Sequence, residues 1–244
     1  MTSTATVGST GLVGSHILST LLTLPSITSI HALSRRNPQL ASPSPKLHPL
    51  TSIDTSTWPT QLSTLTPPPF IFLSSLGTTR GQAGSFSAQR AIDYDLNLSL
   101  ARAALESQVP VYVLISSGGA NSSSLFPYMK MKGELEDAVK ALPFKRVVIL
   151  RPGLIVGDRE DFRPPEWAFR KLATATGWIS SGLKDFWAQD AEVIGRAAVV
   201  AGLKALEDVE GGGGKVPQVW VVEQADIIRL GRTEWKEGEG KAKA

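Results

Sequence analysis

Hydrophobic and polar positions along the chain follow two alternating rhythms. Short β-rich runs fall at residues 4–7, 27–33, 70–73, 111–115 and 146–150, and those at 70–73 and 111–115 are continuous enough to be buried strands. Between them, apolar positions recur at helical spacing. Ile17, Leu18, Leu21 and Leu22 form such a stripe before Pro25, and Ala91, Leu98, Ala101 and Leu105 form another in a helix expected over 88–108. Further helices are expected over 125–142, 165–176 and 191–208, with strands at 218–222 and, weakly, at 47–50. Residues 37–69, rich in Pro, Ser and Thr, read as loops with one weak helix, and 211–214 as a loop tip.

Strands alternating with helices predict an α/β fold, a Rossmann-like doubly wound parallel sheet. After Arg151 the rhythm loosens, so the rest reads as a small C-terminal cap over the sheet. A length of 244 residues suits one domain over 1–232, with 233–244 as a frayed tail.

Composition narrows the chemistry. There are no cysteines, which removes disulfides, thiolate catalysis and cysteine-ligated metals. Three histidines at 16, 31 and 48 are too scattered for a zinc site. A net charge of +3 is far below a nucleic-acid footprint. The charge is uneven: residues 1–122 hold 6 Lys/Arg and 4 Asp/Glu, and none precedes Arg35. The N-terminal segment therefore resembles neither a secretory signal nor an Arg-rich presequence. Its most apolar stretch, 12–30, is broken by His16 and Pro25 and fails as a membrane span. From these features alone the chain is expected to be soluble, cytoplasmic and without a cleaved leader.

The first strand runs directly into Gly8, Ser9, Thr10, Gly11, Leu12, Val13 and Gly14, a Gly-x-x-Gly-x-x-Gly turn opening the first helix. Such a turn lets the backbone approach a pyrophosphate, which the helix N-terminus then receives. At the end of the second strand, where an acid would bind a ribose 2′-hydroxyl, stand Arg35 and Arg36, and no acid occurs before Asp54. An arginine there accommodates a 2′-phosphate, so the expected cofactor is NADPH (NADP+).

Tyr128 and Lys132 are four apart on a predicted helix and share one face. Ser116 and Ser117 end the preceding strand, at the carboxyl edge where α/β ligands bind. Hydride transfer to a carbonyl would use Tyr128 as proton donor, with the Lys132 ammonium favouring the phenolate and a serine polarising the substrate oxygen. Strand register decides between the two serines; Ser117 is the choice.

The Gly8–Gly14 turn, Ser117, Tyr128 and Lys132 resemble the extended or atypical branch of the short-chain dehydrogenase/reductases. Residues 76–84, Asp93, Tyr94, 116–120, 132–134, 151–153, Asp158, Arg159 and 163–167 resemble, more narrowly, the Tat-interacting oxidoreductase family of animals. They are closer still to its fungal relatives in the mitochondrial proteome. The resemblance implies that Thr10, Gly11 and Val13 contact the pyrophosphate and Arg35 the 2′-phosphate. It implies that Leu76 and Gly77 line the cofactor, and that Tyr128, Lys132, Ile155 and Arg163 complete the site. It also implies peripheral, cytosol-facing attachment at the mitochondrial outer membrane.

Trp167, Phe169, Trp178, Phe186 and Trp187 could overlie an apolar substrate or simply pack a cap. Glu134, Glu136 and Asp137 read as a solvated helix face, and Lys236, Lys241 and Lys243 as solubilising. Asp158, Glu160 and Asp161 share their loop with Arg159 and Arg163, which argues against a metal. The function expected is NADPH-dependent reduction of a small carbonyl substrate. A low-turnover NADPH sensor is the alternative, and an epimerase would need a larger C-terminal domain.

Overall fold

The computed structural model describes residues 2–40, 42–156 and 188–235. Strand β1 (Thr2–Val7) leads into helix α1 (Leu12–Thr23), β2 (Ile27–Ser34), the edge strand β3 (Leu47–Thr51) and α2 (Trp58–Ser63). Strand β4 (Ile71–Ser74) follows, then the short helices α3 (Arg80–Ala83) and α4 (Phe86–Arg90), a π-turn (Ala91–Leu96) and α5 (Asn97–Glu106). The chain continues through β5 (Val111–Ile115), α6 (Pro127–Lys140), β6 (Arg146–Leu150) and β7 (Leu154–Val156). It resumes with β8 (Ala188–Asp190), α7 (Ala191–Glu210), β9 (Val219–Val222) and α8 (Gln224–Ile228).

Seven strands form one sheet in the order β3-β2-β1-β4-β5-β6-β9, every neighbouring pair parallel. The Rossmann-like fold expected from the alternating pattern is therefore present. Period-two side chains sort into two apolar layers. Ile71, Leu73, Val113 and Val148 pack with α1 and α7, while Phe72, Tyr112, Leu114 and Ile149 pack with α2, α5 and α6. Phe72, Tyr112 and Phe144 stack in the second layer with centroids 5.6 and 5.2 Å apart. The strand order reverses between β1 and β4, which places the switch-point crevice at their carboxyl ends.

Three expectations are corrected. The helix expected over 88–108 is interrupted by the π-turn, whose extra residue rotates the inward face, so Ala91 is exposed and Asp93 is buried instead. The helix expected from 125 starts at Pro127, a residue favoured in the first turn, with Phe126 as cap; Leu125 and Phe126 lie exposed before it. Part of the expected tail is held: Glu234 pairs with Lys204 and Arg229, and Trp235 packs on the core beside Arg196. The helix expected over 165–176, the cap aromatics and Lys236 onward lie outside the described residues.

Candidate active site

The glycine turn makes a cradle of backbone. Gly8 has φ +84°, which favours glycine, and a Cβ there would lie 2.8 Å from the backbone of Ser75 at the end of β4. A Cβ on Gly14 would lie 2.0 Å from the Gly8 carbonyl oxygen and 2.5 Å from Ser75 Oγ. Both glycines are thus required for α1 to approach the β1–β4 crevice. The Gly11 N–H donates to the Gly8 carbonyl at 2.9 Å, closing the turn. Gly11 caps α1 with no side-chain hydrogen bond, and the first turn of α1 carries no acid. Its leading amides have no intrahelical acceptor and face the crevice with the positive dipole end. Ser9 is buried, and its Oγ has no partner. An uncapped helix start, a glycine cradle and an orphaned hydroxyl fit a nucleotide pyrophosphate.

Of the remaining residues expected at the cofactor, Leu76 and Gly77 follow β4 after Ser75, and a Cβ on Gly8 would lie 2.9 Å from the Leu76 amide. Arg35 and Arg36 are exposed just past β2, where Ser34 Oγ shapes the turn by donating to the Arg36 carbonyl at 2.7 Å. Thr10 is exposed, Val13 is buried and Leu12 half-buried. Ile155 lies in β7, against the α1 and α7 layer. Arg163 lies outside the described residues, as do Asp158, Glu160 and Asp161.

On the other side of the crevice, α6 presents Tyr128, Lys132, Glu136 and Lys140 at four-residue spacing. Tyr128 is at the mouth, 39% exposed, and Lys132 lies beneath it, 4% exposed. Lys132 Nζ donates to the Ile115 carbonyl at 3.2 Å, anchoring α6 to the end of β5. The two serines have separate roles. Ser116 points into the core and donates to Glu136 Oε1 at 2.5 Å, whereas Ser117 lies half-buried beside the Tyr128 phenol.

Glu136 overturns the solvated-face expectation. It is 0% exposed and receives Arg151 Nη2 at 2.6 Å, Arg151 Nε at 3.1 Å, Lys140 at 3.2 Å and Ser116. Burial pushes its carboxyl up, but the Arg151 and Ser116 hydrogen bonds outweigh that and hold it low. Glu134 pairs with Arg90 at 2.6 Å. Asp93, Asn97, Glu136 and Arg151 were not singled out for function by residue pattern. The spacing of 128, 132, 136 and 140 was the available signal for Glu136, and Asp93 with Asn97 repeats it on the facing helix.

Asp93 is 2% exposed in the π-turn, and its carboxyl is pushed up to about 6, by burial first, against the pull of Lys132. Lys132 is lowered, chiefly by burial, while Asp93 and Glu136 support its charge. The Tyr128 phenol is raised, by desolvation and then by Asp93, with Ser117 opposing. The lowering of Tyr128 that the sequence assigned to Lys132 is therefore not seen; the charge acting on the phenol here is Asp93.

A seven-stranded parallel sheet in this order, with a glycine turn at its switch point, defines a Rossmann-like α/β protein. Solved structures agree on the fold. WbmG of Bordetella bronchiseptica in complex with NAD superposes with TM-score 0.63 at 14% identity, covering 91% of this chain and 72% of that one. MoeE5 in complex with UDP-glucose and NAD gives 0.61 at 16%, covering 91% and 75%.

Residues 50–176 match the HIM1 family. The mitochondrial protein fmp52 of Aspergillus clavatus is 55% identical over 95% of this chain and 99% of its own. Its Neurospora crassa counterpart is 49% identical over 97% and 98%. The chain belongs to the HIM1 family, among the fungal fmp52 proteins. No helix among the described residues is long and apolar enough to cross a membrane.

Proposed function

We propose that this protein is an NADPH-dependent oxidoreductase of the short-chain type that reduces a small carbonyl compound. One observation supports the reading: α6 carries Tyr128 and Lys132 at four-residue spacing, Lys132 bonds to the Ile115 carbonyl at the end of β5, and Ser117 follows that strand, across the crevice from an uncapped glycine cradle followed by Arg35 and Arg36. The cradle amides from Gly11 to Gly14, with Ser9 and Thr10, would hold the pyrophosphate, and Arg35 and Arg36 the 2′-phosphate. Leu76, Gly77 and Ile155 would line the nicotinamide half. When bound, the reduced cofactor supplies a hydride.

The residues do the rest. Ser117 donates a hydrogen bond to the carbonyl oxygen, and Tyr128 donates the proton that completes the alcohol. A raised phenol keeps that proton on Tyr128 until negative charge develops on the substrate oxygen. Lys132 holds the ribose hydroxyls and compensates the tyrosinate left behind. The two exposed apolar residues before the tyrosine, Leu125 and Phe126, suit an apolar substrate. Kinship with the Tat-interacting oxidoreductases and peripheral, cytosol-facing attachment at the mitochondrial outer membrane accompany this reading; nucleic acid does not.

A second reading, an NADPH sensor with little turnover, is favoured by Lys132 being engaged with the Ile115 carbonyl rather than acting on the phenol. A panel of carbonyl compounds with NADPH separates the two. Under the first reading, Tyr128→Phe lowers turnover by roughly 10²–10⁴-fold while cofactor affinity stays within a few-fold. Undiminished turnover in that variant removes tyrosine acid catalysis, and no turnover by the unaltered protein leaves the sensor.

A further inference from the structure

Asp93 is a buried ionisable group for which the mechanism above has no use. Its Oδ1 accepts the Thr78 N–H at 2.7 Å, and a Cβ placed on Gly77 would lie 3.9 Å from its Oδ2. The carboxylate therefore stands directly behind the loop that follows β4. Asn97 fastens the same two pieces, its amide donating to the carbonyls of Leu76 at 3.2 Å and Asp93 at 3.1 Å. From the opposite side α6 packs on the π-turn and brings Lys132 and Tyr128 within electrostatic range of Asp93.

Counting charges assigns a role. Among the described residues the ammonium of Lys132 has only a neutral carbonyl as hydrogen-bond acceptor, and a buried ammonium without a counter-charge gives up its proton. Two carboxylates lie in range. Glu136 is already engaged by Arg151, Lys140 and Ser116. Among the described residues Asp93 faces no other free cation: Arg90 on α4 is paired with Glu134 and lies over the Tyr94 ring at 4.3 Å. Gln89 and Thr78 give it neutral hydrogen bonds only.

We infer that Asp93 is a positioning residue, the counter-ion that keeps Lys132 charged inside the core and ties that charge to the loop lining the cofactor. This deepens the proposed function and rests on it for its consequence, since the same carboxylate sustains the ammonium and keeps the proton on Tyr128. Both effects suit an acid that must donate only when substrate charge develops. The groups facing Asp93 are Lys132 and Tyr128 from α6, with Glu136 beyond Lys132, and Gln89 from α4. Below about pH 6 the carboxylate is protonated and the arrangement loses its counter-charge.

The test needs neither cofactor nor substrate. Carbon-13 NMR of the Asp93 carboxyl is followed against pH in the unaltered protein and in Lys132→Met. The expected midpoint near 6 moves upward by about one unit or more when the ammonium is removed; an unmoved midpoint overturns the inference. In parallel, Asp93→Asn is titrated by phenol absorbance, with Tyr128→Phe subtracted to isolate Tyr128. A downward shift of the Tyr128 titration supports the role, and an unchanged one overturns it. Should Asp93→Asn not fold, the Lys132→Met comparison decides alone. A protein that binds no NADPH would sink the proposed function and leave both titrations readable.

Discussion

The two walls of the crevice are made of different material. On the β1–α1 side the wall is backbone and neutral hydroxyls: two glycines whose missing Cβ atoms open the cradle, uncapped amides, the buried Ser9 hydroxyl, and no ionised side chain before Arg35. On the α6 side the wall is charge: Asp93, Lys132, Glu136, Arg151 and Lys140 interlock within the core or at its edge. The first wall depends on volume and is indifferent to pH. The second is sensitive to charge balance, because a buried ion that loses its partner is far more expensive than a small change of shape.

The largest effect is expected from unbalancing the charged wall. Glu136→Gln leaves Arg151 without its buried carboxylate and should lower stability by about 3–5 kcal/mol in denaturant unfolding. Replacing both residues by methionine should recover part of that loss; if the double variant is worse than the single, the wall is not governed by charge. Next comes pH. Asp93 is raised from 3.8 to about 6 in the folded protein, so the native state holds the proton more tightly than the unfolded chain. Its contribution is favourable below about pH 4 and is lost as pH rises to about 6, a span of roughly 3 kcal/mol. Asp93→Asn should accordingly gain stability relative to the unaltered protein across that window. A constant difference between pH 4 and 7 would contradict the buried, protonatable carboxylate.

The backbone wall should break by volume. Gly14→Ala places a methyl group against the Gly8 carbonyl and should cost about 1–3 kcal/mol and most of the cofactor affinity, with no pH dependence. Gly81→Ala, which meets nothing within 4 Å, should be close to neutral. Equal losses in the two would show that the cradle is not close-packed.

How much of this was legible in the sequence follows the same division. Strands and the glycine turn are local signals: runs such as 111–115 and the spacing of Gly8, Gly11 and Gly14 declare themselves without knowledge of the rest of the fold. Tyr128 and Lys132 were legible because four-residue spacing fixes them on one helix face. The charged wall was not. Asp93 is buried because the π-turn adds a residue and rotates the helix, something a regular 3.6-residue period cannot anticipate. Glu136 looked solvated because its partner Arg151 lies fifteen residues away at the carboxyl end of β6, brought to it by tertiary packing alone. The choice of Ser117 over Ser116 depended on the strand end, where Ser116 turns inward to Glu136.

In the proposed function the backbone wall binds a dinucleotide and Arg35 reads its 2′-phosphate. Calorimetric titration with NADPH and NADH in parallel, on the unaltered protein and on Arg35→Ala, tests it most directly. NADPH should bind at least roughly tenfold more tightly than NADH, about 1.4 kcal/mol for a charge-assisted contact, and Arg35→Ala should weaken NADPH far more than NADH, with Arg36 retaining part of the preference. Equal affinities in the unaltered protein, or no binding of either nucleotide, would contradict the account.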